Sequence, residues 1–385
     1  MQGGRKLIVR TLGVAAVAVT VVAAVTIGVL TVGSTPRATG ALLSSATATT
    51  TTTVPTTPTT TTTVPTTTTT VPTTTTTVPT TTTTVPTTTT TVPTTTTTVP
   101  TTWLWPSGVS SAIMIPQLSV SATSAYQPRV AIASLTKLMT TWVILHRLPL
   151  AYSQRGPCLT VSVNDVAAYR YDVATDQSNA AIALGERLCE GQLLRGLLVH
   201  SAGDYAALLV EMTGLSTATF VRLMNRDAKI LGLDQTHYGD ITGIGSQDLS
   251  TAHDQAVMAV DLMAAEPIVR QIVALPRVAL PVAGVLWSYT PFVGQGGVVG
   301  VKSGFTGLAG GCDVMAINFR VGAHVVTTYS VVLGDHGSNP IVGAGEDALA
   351  LARAVRPLLR VARTSTGSTV EWTGSRDYLV ASSRR

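Results

Sequence analysis

Between Arg37 and Arg129 the chain carries no charged residue, and most of that stretch is threonine, valine and proline. Within it "TTTTTVP" recurs with a period of seven, which places prolines at 65, 72, 79, 86, 93 and 100. A seven-residue period is the signature of a coiled coil, but these residues forbid one. Proline fixes φ and removes a backbone donor, and β-branched threonine disfavours helix. Nothing in the segment can bury enough apolar surface to offset the entropy of ordering it. Residues 34–102 therefore read as an extended, partly polyproline-like stalk, open to O-glycosylation. Roughly 60 such residues at about 3.1 Å each reach about 180 Å. The 385 residues of the chain would by length suggest two or three domains. The stalk leaves room for one core, from about Trp103 to Leu359.

The segment before the stalk has a basic flank, Arg5, Lys6 and Arg10, followed by an uncharged run from Leu12 to Val32. As a helix that run spans about 30 Å, the thickness of a bilayer core. The basic flank stays cytoplasmic, so the rest of the chain is expected to face outward. Residues 1–33 read as an uncleaved membrane anchor or, with "ATGA" at 38–41 as a distant cleavage site, as a signal peptide. The expected location is the cell membrane, single-pass with an extracytoplasmic domain, or secreted if the segment is cleaved. Basic residues are scattered despite a net charge of +5, so no nucleic-acid footprint is expected.

Cys158, Cys189 and Cys312 are the three cysteines. An outward-facing domain permits a disulfide. Cys158 and Cys189 are the favoured pair, since both end apolar runs near turns. Cys312, inside "AGGCDVMAI", reads as a small buried hydrophobe. The spacing suits no zinc site.

Across the core, residues 111–116 and 118–126 read as two short strands. Helical patterns follow at 134–147, at 191–212 with a break at 201–203, at 217–233 and at 250–264. From residue 298 the pattern turns to three strands with a hairpin at Val321–Gly322, and a helix over 345–359 closes the core. Two strands, a helical middle, three strands and a final helix make an α+β fold. It is an antiparallel sheet flanked by helices, with an inserted all-helical subdomain. Residues 361–385 read as a loose polar tail.

The chemistry starts at "ASLTKLMT", 133–140. If Ser134 opens a helix, Lys137 stands one turn on and faces the same way. A serine hydroxyl is a poor nucleophile until a base takes its proton, and burial makes a lysine such a base. S-x-x-K alone is weak, since it also describes an N-cap serine followed by a surface lysine. Two further elements add weight. "HSAGDYAALL" puts Ser201 at a break between helices. "GVKSGFTGLAGG" puts Lys302, Ser303 and Gly304 on a strand, where Gly304 lets a substrate backbone approach. The backbone N–H groups of Ser134 and Phe305 can face a developing oxyanion. S-x-x-K, S-x-x and K-[ST]-G in this order are far more specific than any one of them.

"ASLTK", "SAGD" and "KSGFTGLAGG" resemble the three active-site motifs of the penicillin-binding D-alanyl-D-alanine carboxypeptidases. The resemblance extends through "FVRLMNRDAKILGL" and "STAHD" and covers about 107–357. It implies the β-lactamase/transpeptidase-like fold for 103–360 and a serine peptidase acting on peptidoglycan stem peptides, with β-lactam antibiotics as covalent inhibitors. By the same resemblance Ser134 forms an acyl-enzyme, Lys137 activates it and Ser201 relays protons. Lys302 and Ser303 bind the terminal carboxylate, beside Gly304, Phe305 and Thr306. No cofactor or metal is implied. One position departs from the pattern: where the second motif usually ends in Asn, this chain has Gly203. Asp204 matches the acid that commonly follows that Asn. The departure keeps a second reading open, a catalytically weakened homologue that binds peptidoglycan. A β-lactamase is less favoured, because neither Glu211 nor Glu266 sits in a convincing loop for activating water. His200 reads as an accidental neighbour of Ser201, and Asp165, Asp254 and Asp261 as caps or exposed faces.

Overall fold

The structure is a computed structural model and describes residues 105–374. The expected anchor at 1–33, the stalk at 34–102 and the last residues of the tail lie outside the described residues. Among the described residues, no single helix is long and apolar enough to cross a membrane.

Five antiparallel strands form the central sheet: β1 (Ser110–Ile115), β2 (Val120–Thr123), β3 (Val298–Thr306), β4 (Gly310–Val321) and β5 (His324–Asp335). Their spatial order is β2-β1-β5-β4-β3. The last three strands form a meander, and β1 returns to pair with β5, Ser110 opposite Leu333. Strand β4 is buried almost without interruption, which is the mark of a sheet covered on both faces. Side chains alternate faces along a strand. Accordingly Cys312, Val314 and Ala316 enter one core, and Met315, Ile317 and Phe319 enter another.

The two cores are covered by different helices. Helices α1 (Thr136–Arg147), α2 (Val163–Ala174), α3 (Glu190–Val199), α4 (Gly203–Met212), α5 (Thr217–Ile230), α6 (Ala252–Ala265) and α7 (Pro267–Val273) all come between β2 and β3 in the chain. They build the larger core. The second core lies under α8 (Pro340–Val355), whose Ala344, Ala348 and Ala352 let it sit close to the sheet. Helix α1 is buried on nearly every side: Leu138, Met139, Ile144 and Lys137 are all within 1% of full burial. The lysine thus stands where periodicity alone would put another apolar residue.

Most of the expected elements are present, and three readings are corrected. Helix α8 begins at Pro340, with the proline in its first turn, and not at 345; a proline is well placed there because that N–H has no helical partner anyway. The loose tail does not begin at 361. Leu359–Thr364 and Gly367–Trp372 form a hairpin, Leu359 opposite Trp372, and Val370 and Trp372 pack against the second core. Its polar composition belongs to a ribbon with one face in solvent. Helix α2 escaped the sequence reading, although Ser162 and Asp165 form a capping box at its start, which is a readable signal.

Cys158 and Cys189 face each other across two short paired strands and are joined by a disulfide, while Cys312 is free and buried. The bridge closes a loop with a sequence separation of 31. By loop-closure entropy it stabilises the fold by about 3–4 kcal/mol. Replacing both cysteines by serine should lower the unfolding free energy of the domain by about that amount in urea denaturation. A loss below about 1 kcal/mol would show that the unfolded chain is already compact there.

Candidate active site

Ser134 lies in a 3-10 turn, Ala133–Leu135, that runs directly into α1. Ala133 has φ +48°, a conformation that costs a non-glycine residue energy and needs support from its surroundings. Gly243 gives that support: it packs so tightly on the Ala133 carbonyl that a side chain there would overlap it. The turn leaves Ser134 half-buried, with Lys137 one helical turn on. Lys137 Nζ donates to Ser134 Oγ at 2.8 Å and to the Thr242 carbonyl at 2.8 Å.

Lys137 is 1% exposed. Burial lowers its pKa to about 8, against the pull of Asp240, Asp248, Asp204 and Asp172, which favour the ammonium. The neutral amine, which can accept the Ser134 proton, is therefore available near neutral pH. The Thr242 carbonyl is held by a loop that the sequence reading did not single out. Asp240 Oδ1 accepts from Thr242 N at 2.6 Å, Thr242 Oγ1 at 2.9 Å and Gly243 N at 2.7 Å, and Oδ2 accepts from Gly245 N at 2.7 Å. These bonds keep the Asp240 carboxyl below its usual range despite partial burial. Behind it Asp248 Oδ1 accepts from Thr136 Oγ1 at 3.2 Å and ties the loop to α1. An Asp two residues before a Thr, in "GDITG", is the signal of such an Asx-type turn.

Ser201 falls between α3 and α4 with φ +64°. It is 3% exposed and its hydroxyl has no hydrogen-bond partner. Gly203 opens α4, and its N–H donates to the Ser178 carbonyl at 2.7 Å. His200 has the bland role expected: its Nδ1 lies 2.9 Å from the Trp287 carbonyl and its ring leans on Tyr289. Asp165 and Asp254 sit in the first turns of α2 and α6, and Asp165 completes its capping box.

Strand β3 brings the third motif alongside the first. Gly304 lies against the Ser134 backbone, and a Cβ there would stand 2.6 Å from Ser134 N. Only glycine permits this approach, which places Phe305, 49% exposed, just beyond the serine. Lys302 and Ser303 are fully buried. Lys302 Nζ donates to the Ser303 carbonyl at 2.7 Å, and Ser303 Oγ donates to the Tyr289 carbonyl at 2.7 Å. Burial, together with the nearby Lys137, drives the Lys302 pKa well down. Asp313, opposite Ser303 on β4, is driven up by burial and is drawn back by Lys302. Thr306 is at the end of the strand, where its hydroxyl accepts the Ala309 N–H inside the hairpin turn.

The structure thus brings Ser134 and Lys137 into direct contact and sets Gly304 against them. Ser201 stands at the start of the α4 wall, and Lys302 and Ser303 stand on the strand. Thr242, Asp240 and Asp313 join the set that sequence reasoning proposed. The arrangement brings together a serine hydroxyl, an amine able to accept its proton, a buried hydroxyl without a hydrogen-bond partner and a second buried lysine.

A family model described as D-alanyl-D-alanine carboxypeptidase matches residues 111–337. Among curated proteins, DacF of Bacillus subtilis, a D-alanyl-D-alanine carboxypeptidase, is 30% identical over 37% of this chain and 35% of its own length. The D-alanyl-D-alanine carboxypeptidase of Streptomyces sp. strain K15 is 33% identical over 32% of this chain and 43% of its own length. The aligned part spans only about a third of the length of such relatives. Among solved structures, the Streptomyces K15 DD-transpeptidase is 25% identical with a TM-score of 0.55, over 63% of this chain and 95% of that one. Penicillin binding protein 6B from Escherichia coli shares the fold at a TM-score of 0.57 and 23% identity, over 68% of this chain and 83% of that one. Motif order, sheet order and the family match converge: the chain belongs to the D-alanyl-D-alanine carboxypeptidase family.

Proposed function

We propose that the domain is a serine D-alanyl-D-alanine carboxypeptidase that removes the terminal D-alanine from peptidoglycan stem peptides. The observation that carries this is the 2.8 Å contact between Lys137 Nζ and Ser134 Oγ, made by a lysine whose pKa burial has lowered to about 8. Neutral Lys137 takes the Ser134 proton as Oγ attacks the carbonyl of the penultimate D-alanine. The N–H groups of Ser134 and Phe305 receive the oxyanion. Collapse breaks the peptide C–N bond, and Ser201, whose hydroxyl is otherwise unpartnered, passes the proton to the leaving amine. Water then hydrolyses the ester and regenerates Ser134. Lys302 and Ser303 donate hydrogen bonds to the terminal carboxylate, whose charge favours the ammonium form of Lys302 on binding. β-Lactams acylate the same serine and block it. The N-terminal segment holds the domain at the outer face of the cell membrane, with the stalk as spacer toward the wall.

A weakened homologue is the second reading, and Gly203 motivates it. Glycine there is not required by the backbone, since Gly203 lies in the helix with no positive φ. A Cβ would meet the Ser178 carbonyl at 3.2 Å and Thr242 Cγ2 at 3.6 Å, so a side chain fits after a shift of a few tenths of an ångström. It would sit beside the residue whose carbonyl holds Lys137.

Two variants test these readings. Ser134→Ala should abolish labelling by a fluorescent penicillin and D-alanine release, with the fold intact. A label that maps instead to Ser201 would contradict the assignment. Gly203→Asn should raise the acylation rate by about tenfold, the effect of one restored hydrogen bond to a reacting or charged group. An equal or lower rate with the fold intact would show that the site has been rebuilt around glycine.

A further inference from the structure

Two carboxyl groups stand together in the loop that holds Lys137, those of Asp240 and Asp248. Three of their four oxygens are engaged. Asp240 Oδ1 accepts from Thr242 N, Thr242 Oγ1 and Gly243 N, and its Oδ2 accepts from Gly245 N. Asp248 Oδ1 accepts from Thr136 Oγ1 at 3.2 Å and from the N–H groups of Gly239 and Asp240 at 3.3 and 3.4 Å. Asp248 is 0% exposed, and its Oδ2 has no hydrogen-bond partner. A buried carboxylate oxygen left without a donor is costly.

That oxygen lies on the same side as Asp240 Oδ2. A Cβ on Gly245 would stand 2.7 Å from Asp240 Oδ2 and 3.4 Å from Asp248 Oδ2, so both line one small space. The two side chains are within hydrogen-bonding reach of each other. Two carboxylates in such contact repel, whereas one proton between them turns repulsion into a short O–H···O bond. The local donors decide which acid keeps the proton. Four hydrogen bonds hold Asp240 ionised against its burial. Asp248 has longer bonds and the open oxygen, and burial together with Asp240 pushes it up to about 7. Lys137 feels both acids, with Asp204 and Asp172 acting on the same amine. Tyr238 also feels Asp248, and burial keeps its hydroxyl neutral.

We propose that Asp240 and Asp248 share one proton, and that Asp248 is thereby a positioning residue that keeps the Thr242 carbonyl on Lys137 and limits the negative charge facing the amine. With the proton in place the pair presents one charge to Lys137. Without it the pair presents two, the amine is drawn toward its ammonium form, and the two acids push the loop apart. The effect on acylation rests on the reading of Lys137 as the group that takes the Ser134 proton; the shared proton itself does not.

The test uses the full chain with Asp248→Asn and Asp248→Ala. Asparagine keeps Oδ1 as an acceptor and offers a permanent N–H to Asp240 Oδ2, so it imitates the protonated pair. In Asp248→Asn the ascending limb of penicillin acylation against pH should move down by about one unit, with the plateau rate retained. Asp248→Ala should lower the plateau by about tenfold, because the tie between loop and α1 is lost. An unmoved limb in the Asn variant, or the same loss of rate in both variants at every pH, would overturn the positioning role. Urea unfolding reads the proton separately. A raised carboxyl binds its proton more tightly in the folded chain, so wild type should lose stability relative to Asp248→Asn as pH rises from about 4 to about 7. A difference that stays constant over that window would overturn the shared proton. Absence of any penicillin label on wild type would sink the peptidase reading and the positioning role with it, and the urea comparison would still decide on the proton.

Discussion

The site depends on the removal of two lysines from water. Lys137 and Lys302 are each at or within 1% of full burial, and Lys137 stands close enough to disfavour charge on Lys302. Burying an ammonium is unfavourable, and the protein answers by letting it become neutral. Bringing Lys137 from the ordinary lysine value to about 8 means that its charged form is disfavoured by about 3 kcal/mol. The same cost is what leaves its amine able to accept a proton near neutral pH. Its sign for stability is definite. The unfolded chain binds the Lys137 proton up to the ordinary lysine pKa and the folded one only up to about 8, so this residue makes the fold more stable as pH rises through that window.

An amine that is to take a proton from one oxygen must be held against it, and the fold supplies the hold from two directions. Helix α1 places Lys137 one turn after Ser134. The Asp240 loop supplies the Thr242 carbonyl as the second acceptor. Four hydrogen bonds to one carboxylate fix that loop, and Asp248 ties it to the start of α1. Gly304 then brings β3 to the Ser134 backbone. The serine–lysine pair, the carbonyl that holds the lysine and the strand therefore come from three parts of the chain, which meet at the seam between sheet and helices.

Much of this was legible in the sequence because the motifs are local. Ser134 and Lys137 share one helical face, and Lys302, Ser303 and Gly304 are consecutive on one strand. The order of strands and helices followed from the change of hydrophobic period near residue 298, and the Cys158–Cys189 pair from its position at the ends of apolar runs. What escaped was carried by groups without a residue signature. The second acceptor for Lys137 is a backbone carbonyl, which any residue type supplies. Asp313 reads in sequence as one acid in an apolar strand, and only the pairing of β4 with β3 shows that it is buried near enough to Lys302 for the two charges to interact. The hairpin after Leu359 was missed because polar alternation in a short ribbon looks like an unstructured end until Val370 and Trp372 are seen against the second core.

The central claim is that Lys137 acts as an amine whose proton affinity burial has set. The pH dependence of Ser134 acylation by penicillin on the free enzyme reads that directly. Below the lysine pKa the rate should fall about tenfold for each pH unit, and it should level off above it, giving one ascending limb centred near 8. A limb near the ordinary lysine value of 10.5, or a rate flat between pH 6 and 9, would contradict the account.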